Sequence, residues 1–455
     1  MKRRDFLTST ALLGAGIPLA MTPAALSSCS GGQTEETVSK TYTPEELGMF
    51  SFSEQAPDGK PLKAALVGCG DRGTGAATQF LSAGPNVSII ALADLFPDRM
   101  EACRKVLKEK FNNEVADSNC FFGFDAYQKV LAMNDIDVVL LCTPTHFRPE
   151  QFKAAVDANK HIFMEKPCAV DPTGIRTVIA AAKTATTKGL TVVTGNQRRH
   201  RRDYWEAYLQ VKNGLIGEVI SANAHWDQGA WWNKRKRPEW SDMEYCIRNW
   251  FNIKWLSGDH LLDQAIHNID VVTWFMGMKP NKAVGFGGRA QRLTGDIYDF
   301  FSVDYYYDKN KRMLATARQI DGCDGNVSEQ IYGTKGMAQL NDRGEIKIVD
   351  YNGNELWTYD YAAKPVKNPY DQEHVHLVES IRLGKKINQA EDLAYSTQVA
   401  ILGREAAYTG KSITWDEIMA STVHYGPETY AMGPLPFYKE GEAPRPGNAP
   451  DAPVI

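Results

Sequence analysis

The sequence predicts an α/β protein: an N-terminal doubly wound parallel sheet followed by an α+β domain with a large, mostly antiparallel open sheet. Three observations carry that prediction. A short apolar run from Leu62 leads directly into Gly68-Cys-Gly70-Asp-Arg-Gly73. Apolar runs of strand length then alternate with helical segments as far as Val193, the pattern of parallel strands joined by crossover helices. From Val219 onwards short segments of period two dominate, which suits an antiparallel sheet with one covered face.

A chain of 455 residues can bury two or three cores. With 23% charged residues, 43% hydrophobic residues and a net charge of −4, nothing points to a nucleic acid or another polyanion as partner. The first residues read as a targeting segment. Lys2-Arg3-Arg4-Asp5-Phe6-Leu7 is a twin-arginine signature, and the apolar run 11–25 behind it is broken by Gly14, Gly16 and Pro18, too short to span a bilayer. Leu26-Ser27-Ser28-Cys29 resembles a lipobox with Cys29 as the acylated residue. The expectation is export by the twin-arginine route to the periplasm, with membrane contact only through a lipid anchor on Cys29. The expected organisation is a signal over 1–29, a polar tether over 30–60, the nucleotide-binding domain over 61–188, an α+β substrate and oligomerisation domain over 189–420, and a Pro- and Gly-rich tail over 421–455. Seven further cysteines show no CxxC spacing, so neither a disulfide framework nor a zinc site is read from them.

The glycine-rich stretch has the composition that a dinucleotide needs. Gly68 permits a tight turn, Gly70 lets the backbone approach a pyrophosphate, and Gly73 allows close helix packing, with Asp71 and Arg72 between them at the start of a helix expected over 74–82. The next strand, 87–93, ends in Asp94, 21 residues past Gly73, where a carboxylate accepts hydrogen bonds from an adenosine ribose and repels the 2′-phosphate of NADP. The cofactor predicted is therefore NAD.

Alternation continues through a helix over 97–110, a strand over 120–122, a helix over 127–132 and a strand over 137–142. Thr143, Pro144 and His146 stand at the carboxyl end of that strand, where open parallel sheets bind ligands. A helix over 149–158 leads to the strand 161–164 and to Glu165-Lys166-Pro167. Lys166 leaves the strand beside the expected nicotinamide position, where an ammonium can hydrogen-bond a substrate hydroxyl. After a helix over 171–188 and a strand over 190–193, Asn196–Arg202 is a charge run expected to form a solvated turn, with Gln197 and Arg198 close enough to the strand end to face the cofactor. Six of the ten tryptophans fall in an insertion over 226–255. Trp231, Trp232 and Trp250 are the candidates for stacking on sugar rings, and Arg198, His225 and Tyr245 for further substrate contacts. Helices are expected over 372–383 and 393–409, before an extended or disordered tail.

Leu261, Leu262, Ala265, Ile266 and Ile269 recur at helical spacing after Gly258-Asp259. On one continuous helix, Asp263 and His267 share a face, an arrangement in which a carboxylate orients an imidazole general base. The same spacing also fits an ordinary helix ion pair. With His260 added it fits a metal-binding face, which leaves metal-dependent isomerisation or hydrolysis as an alternative. A lipoprotein that binds sugar without turning it over is a third reading.

Taken together, Gly68-x-Gly70-x-x-Gly73, Asp94, Thr143-Pro144, Glu165-Lys166-Pro167 and Asp263-x-x-x-His267 resemble the glucose-fructose oxidoreductase/inositol dehydrogenase (Gfo/Idh/MocA) family over residues 61–420, in an exported branch. The resemblance implies a Rossmann domain plus an open-sheet domain that mediates oligomers, acting on sugars, glycosides or cyclitols with NAD(P). It also implies a catalytic set of Lys166, Asp263 and His267, with no metal. With the strand-end positions of His146 and Gln197 added to the motif residues, the candidate cofactor contacts are Gly68, Gly70, Asp71, Arg72, Gly73, Asp94, Thr143, Pro144, His146, Glu165, Lys166 and Gln197. One exported branch of the superfamily is a redox glycosidase of the α-N-acetylgalactosaminidase type that lacks the lysine of EKP and the DxxxH pair. Because free NAD is scarce outside the cytoplasm, export implies a tightly held cofactor loaded before transport.

Overall fold

The computed structural model describes residues 41–341 and 344–448. The twin-arginine segment and Cys29 lie outside the described residues. The glycine motif is the hinge between the first strand and first helix of a six-stranded parallel sheet. In chain order this part contains β1 (Leu62–Val67), α1 (Asp71–Ser82), β2 (Val87–Asp94), α2 (Pro97–Phe111), β3 (Cys120–Phe122), α3 (Ala126–Leu131), β4 (Val138–Leu141), α4 (Arg148–Asp157), β5 (His161–Met164), α5 (Pro172–Lys188) and β6 (Val192–Thr194). The strand order β3-β2-β1-β4-β5-β6 places the switch of direction between β1 and β4, so the ends of both strands open onto the same crevice. The central strands β1, β4 and β5 are largely apolar and buried because helices cover both faces. Local signals set the helix ends. The Asp171 carboxylate accepts from Gly174 N at 2.8 Å, Pro172 opens α5, and Gly189 closes it at φ +69°.

The second sheet has nine strands in the order β14-β13-β12-β11-β7-β10-β9-β8-β15. It is built from α6 (Arg202–Lys212), β7 (Val219–Gln228), α7 (Asp242–Arg248), α8 (Lys254–Ser257), α9 (His260–Asp263), α10 (Ile266–Met276), β8 (Lys282–Gly288), β9 (Phe300–Tyr306), β10 (Arg312–Gln319), β11 (Asn326–Gly333), β12 (Gly336–Asn341), β13 (Lys347–Asp350), β14 (Glu355–Thr358), α11 (Pro369–Leu383), α12 (Ala390–Thr409), β15 (Ile413–Thr414) and α13 (Trp415–Ala420). Only β7 and β10 pair in parallel within it. α10 and the almost wholly buried α12 fill the space between this sheet and the first domain, so one apolar core runs from Val139 and Leu141 through Ile269 and Leu402 to Val303 and Ala315. None of the described helices is long and apolar enough to cross a membrane.

Several boundaries differ from the expectation. β6 pairs with β5 and belongs to the first sheet, so that domain runs past residue 188 to Thr194. Order begins before Pro61. Residues 41–60 lie against the body, with Phe50 stacked on His200 at 5.3 Å and Ala56 buried. Residues 421–448 have almost no regular secondary structure yet pack on the tryptophan-rich insertion, where Leu435 is buried and Met243 N donates to Gly433 O at 3.0 Å. α6, α7, β11 and β14 are elements that the pattern of the sequence did not predict.

The charge run is the largest departure. Arg198, Arg199, His200 and Arg201 are buried in a short 3-10 turn rather than solvated. Each guanidinium meets a carboxylate: Arg198 pairs with Glu329 on β11, Arg199 with Asp270 at 2.9 Å, and Arg201 with Asp203 at 2.5 Å. A buried charge is tolerable only when paired in this way.

Candidate active site

Both domains contribute to one cavity of about 1430 Å³, which runs from the glycine motif and the end of β2 to Lys166, Asp263 and His267. The cradle at its first end is backbone. Gly68 has φ +97°, and a Cβ there would stand 2.7 Å from the Cys142 carbonyl carbon, while one on Gly73 would stand 1.8 Å from Gly68 O. Gly70 instead faces open space, with nothing within 4 Å of where its Cβ would be. Gly70 is also the N-cap of α1, and no side chain caps it. The first amides of the helix therefore point into the cavity with their positive dipole end, a fit for a pyrophosphate.

Asp94 sits at the end of β2 with its carboxylate fixed by two amides, Cys69 N at 2.6 Å and Phe96 N at 2.8 Å. Burial pushes its pKa up while those amides and Arg99 pull it back. Each oxygen keeps a second acceptor site, which fits the two hydroxyls of an unphosphorylated ribose. Asp71, Thr143 and Pro144 line the same cavity, and Thr143 Oγ1 donates to Gln151 at 2.6 Å. The residues present therefore fit NAD: the glycine loop and α1 for the phosphates, Asp94 for the ribose, and Thr143, Pro144, Glu165, Lys166 and Gln197 beyond them.

Arg72 is tied to partners within the protein. Its guanidinium pairs with Glu165 and, at 2.7 Å, with Glu373 on α11. Burial works against the Glu165 carboxylate, but Arg72, Lys166 and Arg148 outweigh it and hold its pKa below the usual range. Glu373 goes the other way, pushed well above that range by burial and by Glu165. One guanidinium thus joins two buried carboxyl groups whose pKa values are pushed in opposite directions.

Lys166 leaves β5 and places Nζ against the Asp263 carbonyl oxygen, with the Asp263 carboxylate 3.8 Å away. Asp263 does not hydrogen-bond His267 as the sequence suggested, because the helix is not continuous. α9 ends at Asp263, Ala265 N reaches five residues back to His260 O at 3.2 Å, and α10 begins at Ile266. That interruption turns Asp263 towards Lys166. The His267 ring packs on Trp226 at 5.5 Å and has no hydrogen-bond partner among the described residues. Burial, then Lys166, Arg198 and Arg72, hold its pKa well below the ordinary 6.5, so the imidazole is neutral at pH 7. His260 points elsewhere, to Asp259 at 2.8 Å and the Phe301 ring at 5.1 Å, so the three-residue metal face does not form.

Trp231, Trp232, Trp250, Gln197 and Arg198 line the cavity. Three other predicted residues do not. His146 Nε2 bonds Tyr430 Oη at 2.6 Å and burial holds its pKa down to about 3, His225 Nδ1 bonds Thr316 at 2.8 Å, and Tyr245 is buried with its hydroxyl on Glu440 at 3.1 Å. The residues missed are Trp226, Gln228, Gln264, Arg201 and Tyr370, all of which line the cavity. A signal for two of them existed. On β7 the side chains alternate, so choosing His225 for the cavity excludes Trp226 and Gln228, and the opposite parity is the correct one.

A glycine-cradled nucleotide cleft with a lysine and a neutral histidine at its far end defines an NAD-binding oxidoreductase. A model described as "Oxidoreductase family, NAD-binding Rossmann fold" matches residues 62–194, and one described as "GFO/IDH/MocA C-terminal domain" matches residues 204–339. The chain belongs to the Gfo/Idh/MocA oxidoreductase family, and its cofactor is NAD. It is 22% identical over 334 residues to inositol 2-dehydrogenase of Rhizobium meliloti (strain 1021), covering 72% of this chain and 90% of that one. It is 27% identical over 150 residues to glycosyl hydrolase family 109 protein 1 of Bacteroides fragilis (strain YCH46), 32% of each chain. The fold matches scyllo-inositol dehydrogenase from Lactobacillus casei, solved with NAD(H) and scyllo-inositol, with a TM-score of 0.59 at 21% identity over 78% of this chain and 99% of that one.

Proposed function

We propose that the protein oxidises a ring hydroxyl of a sugar or glycoside to a ketone, using a tightly held NAD. The observation that carries this reading is the meeting of Lys166 and a neutral His267 in the cavity that the dinucleotide cradle opens into. NAD supplies the hydride acceptor. His267 takes the proton of the substrate hydroxyl, a step open to it because no internal hydrogen bond occupies its ring among the described residues. Lys166 donates a hydrogen bond to the same oxygen and stabilises its developing negative charge. Asp263 acts through Lys166: its carbonyl and carboxylate hold the ammonium in place. Trp226 backs the imidazole, and Trp231 and Trp250, which line the cavity, offer a platform for the CH faces of a ring. Trp226 Nε1 and Gln228 Nε2 are buried donors without a partner among the described residues, which suits a hydroxyl-rich ligand.

The test uses the protein as purified. Denaturation and identification of released nucleotide shows whether NAD is resident, and the near-ultraviolet absorbance of an untreated sample is followed as sugars and glycosides are added. NADH formed without added nucleotide supports the reading; no nucleotide bound, and none taken up on addition, overturns it. The partial likeness to the family 109 hydrolase favours one second reading, a retaining cycle of oxidation, elimination, hydration and reduction. It is recognised by cleavage of a glycoside with no accumulation of NADH. The twin-arginine and lipobox motifs support export and acylation at Cys29, for which the readout is loss of membrane association in Cys29→Ser. The open face of the second sheet suits self-association, read from the mass in solution.

A further inference from the structure

The insertion between β7 and α8 runs along the cavity rather than standing only at its substrate end. It follows the end of β7, where Trp226 packs on His267, and continues through Trp231, Trp232 and Asn233 to Lys234, all lining the same cavity. Lys234 shares that lining with Leu95, Phe96, Asp98 and Arg99, the residues immediately after Asp94. The insertion is fixed there. The Arg248 guanidinium makes two 3.0 Å bonds to the Asp98 carboxylate and lies 3.9 Å from the centre of the Phe96 ring. The backbone of residues 232–234 is held as well, with Lys234 N donating to Asn249 Oδ1 at 2.8 Å and Trp232 O accepting from Asn252 Nδ2 at 3.1 Å. Asn249 and Asn252 are both fully buried, so this segment is placed by the core of the insertion and not by solvent.

Three cations, Arg99, Lys234 and Arg248, and three carboxylates, Asp71, Asp94 and Asp98, act on one another at this rim, but they are not all paired. Asp98 is committed to Arg248, and neither Arg99 nor Lys234 makes an ion pair among the described residues. Partial desolvation beside the cavity wall, with Arg99 and Arg248, lowers the Lys234 pKa against the pull of Asp71 and Asp98, although the residue as a whole is exposed. A cation held among other cations is stabilised by an anion bound between them. The pyrophosphate of a dinucleotide on α1, with its ribose on Asp94, brings two negative charges to this rim.

We propose that the tryptophan-rich insertion completes the cofactor site from the second domain, with Lys234 contacting the phosphates of bound NAD and Trp232 covering the dinucleotide rather than the sugar. The cofactor is then held from both sides, by the glycine loop beneath and by residues 231–234 above. This rests on occupancy of the cleft by the dinucleotide and not on the identity of the substrate.

The experiment measures how fast bound NADH leaves the whole protein, from the loss of its fluorescence after mixing with excess NAD. Lys234→Gln is expected to speed release about tenfold, the loss of one charge-assisted contact. Arg235→Gln, an exposed neighbour that does not line the cavity, is expected to match the parent. Because Lys234 is exposed, the urea midpoint of nucleotide-free Lys234→Gln is expected to equal the parent's, so any change in release is not a folding defect. Trp232→Ala is expected to speed release and to leave the sugar dissociation constant of the NADH-saturated protein unchanged. Equal release from Lys234→Gln and the parent overturns the proposal, as does equal acceleration by Arg235→Gln, which means a diffuse field and not a contact. A parent that takes up no NADH at all is a different failure, that of the cofactor reading itself.

Discussion

At one end of the cavity the walls are backbone: Gly68, Gly70 and Gly73, the uncapped first turn of α1, and an Asp94 carboxylate fixed by two amides. At the other end they are side chains, kept in place by partners far away in the chain. Arg198 reaches Glu329 on β11, Arg72 reaches Glu373 on α11, and Lys166 rests on Asp263 across the domain boundary. At Gly68 and Gly73 an added methyl group would meet another piece of backbone, so the loop fails as a unit. A site made of side chains separates into roles that can be removed one at a time. The protein thus pairs a fixed holder for a common cofactor with a reacting end whose individual groups can change.

The largest effect expected is at Gly73. In Gly73→Ala the new Cβ would stand 1.8 Å from Gly68 O, so the loop must move out of its place below the pyrophosphate. The expected result is a protein that retains no NAD, measured as nucleotide released per chain on denaturation. Full NAD content in that variant breaks the contrast between the two ends. At the reacting end, His267→Ala is expected to retain its NAD and to lose about 10²–10⁴-fold in the rate of NADH formation in a single turnover, the usual worth of a general base. Loss of NAD content along with the rate means that the two ends are not separable.

The pH dependence sharpens the second half of the contrast. A general base works deprotonated, so kcat/KM is level above its pKa and falls as the pH drops through it. Burial and the cations Lys166, Arg198 and Arg72 hold the His267 pKa well below 6.5, so full activity is expected at pH 6.5 with the acid limb below it. A limb above pH 6.5 assigns the proton to another group. Stability follows the same sign at the buried histidines. His146 and His376 are held near 3 by burial, against an unfolded value of about 6.5, so the stability they contribute is full above pH 6.5 and is lost as the pH falls towards 3.

The contrast also explains what the sequence disclosed. The parallel sheet and the cradle were legible because each part is local: a strand, three glycines within six residues, and an acid at the end of the next strand. The second sheet followed from its period-two segments, and the arrival of Lys166, Asp263 and His267 at one cavity from what the family resemblance implies. What the sequence hid depends on distant partners. Arg198, Arg199 and Arg201 look like a solvated turn until Glu329, Asp270 and Asp203 are placed around them. β11 escaped notice because its buried positions include that same Glu329, a residue that breaks an apolar pattern while filling a paired site. The tie of Asp263 to Lys166 was hidden by the break after α9, which periodicity alone does not reveal.

The smallest effects distinguish residues that line the cavity from residues that support it. Trp231 is 43% exposed and lines the cavity, whereas Tyr245 lies behind the wall with its hydroxyl between Glu440 and Asn249. Trp231→Ala is expected to raise the KM for the sugar about tenfold, from a lost stacking surface of roughly 1–1.5 kcal/mol, with kcat held because the ring touches no reacting atom. Tyr245→Phe is expected to leave KM alone and to lower stability by about 1 kcal/mol in urea unfolding, since it removes the hydrogen bond donated to Glu440 on the tail and the one accepted from Asn249 Nδ2. An altered KM in Tyr245→Phe at unchanged stability reverses the assignment, placing the phenol and not the indole against the substrate.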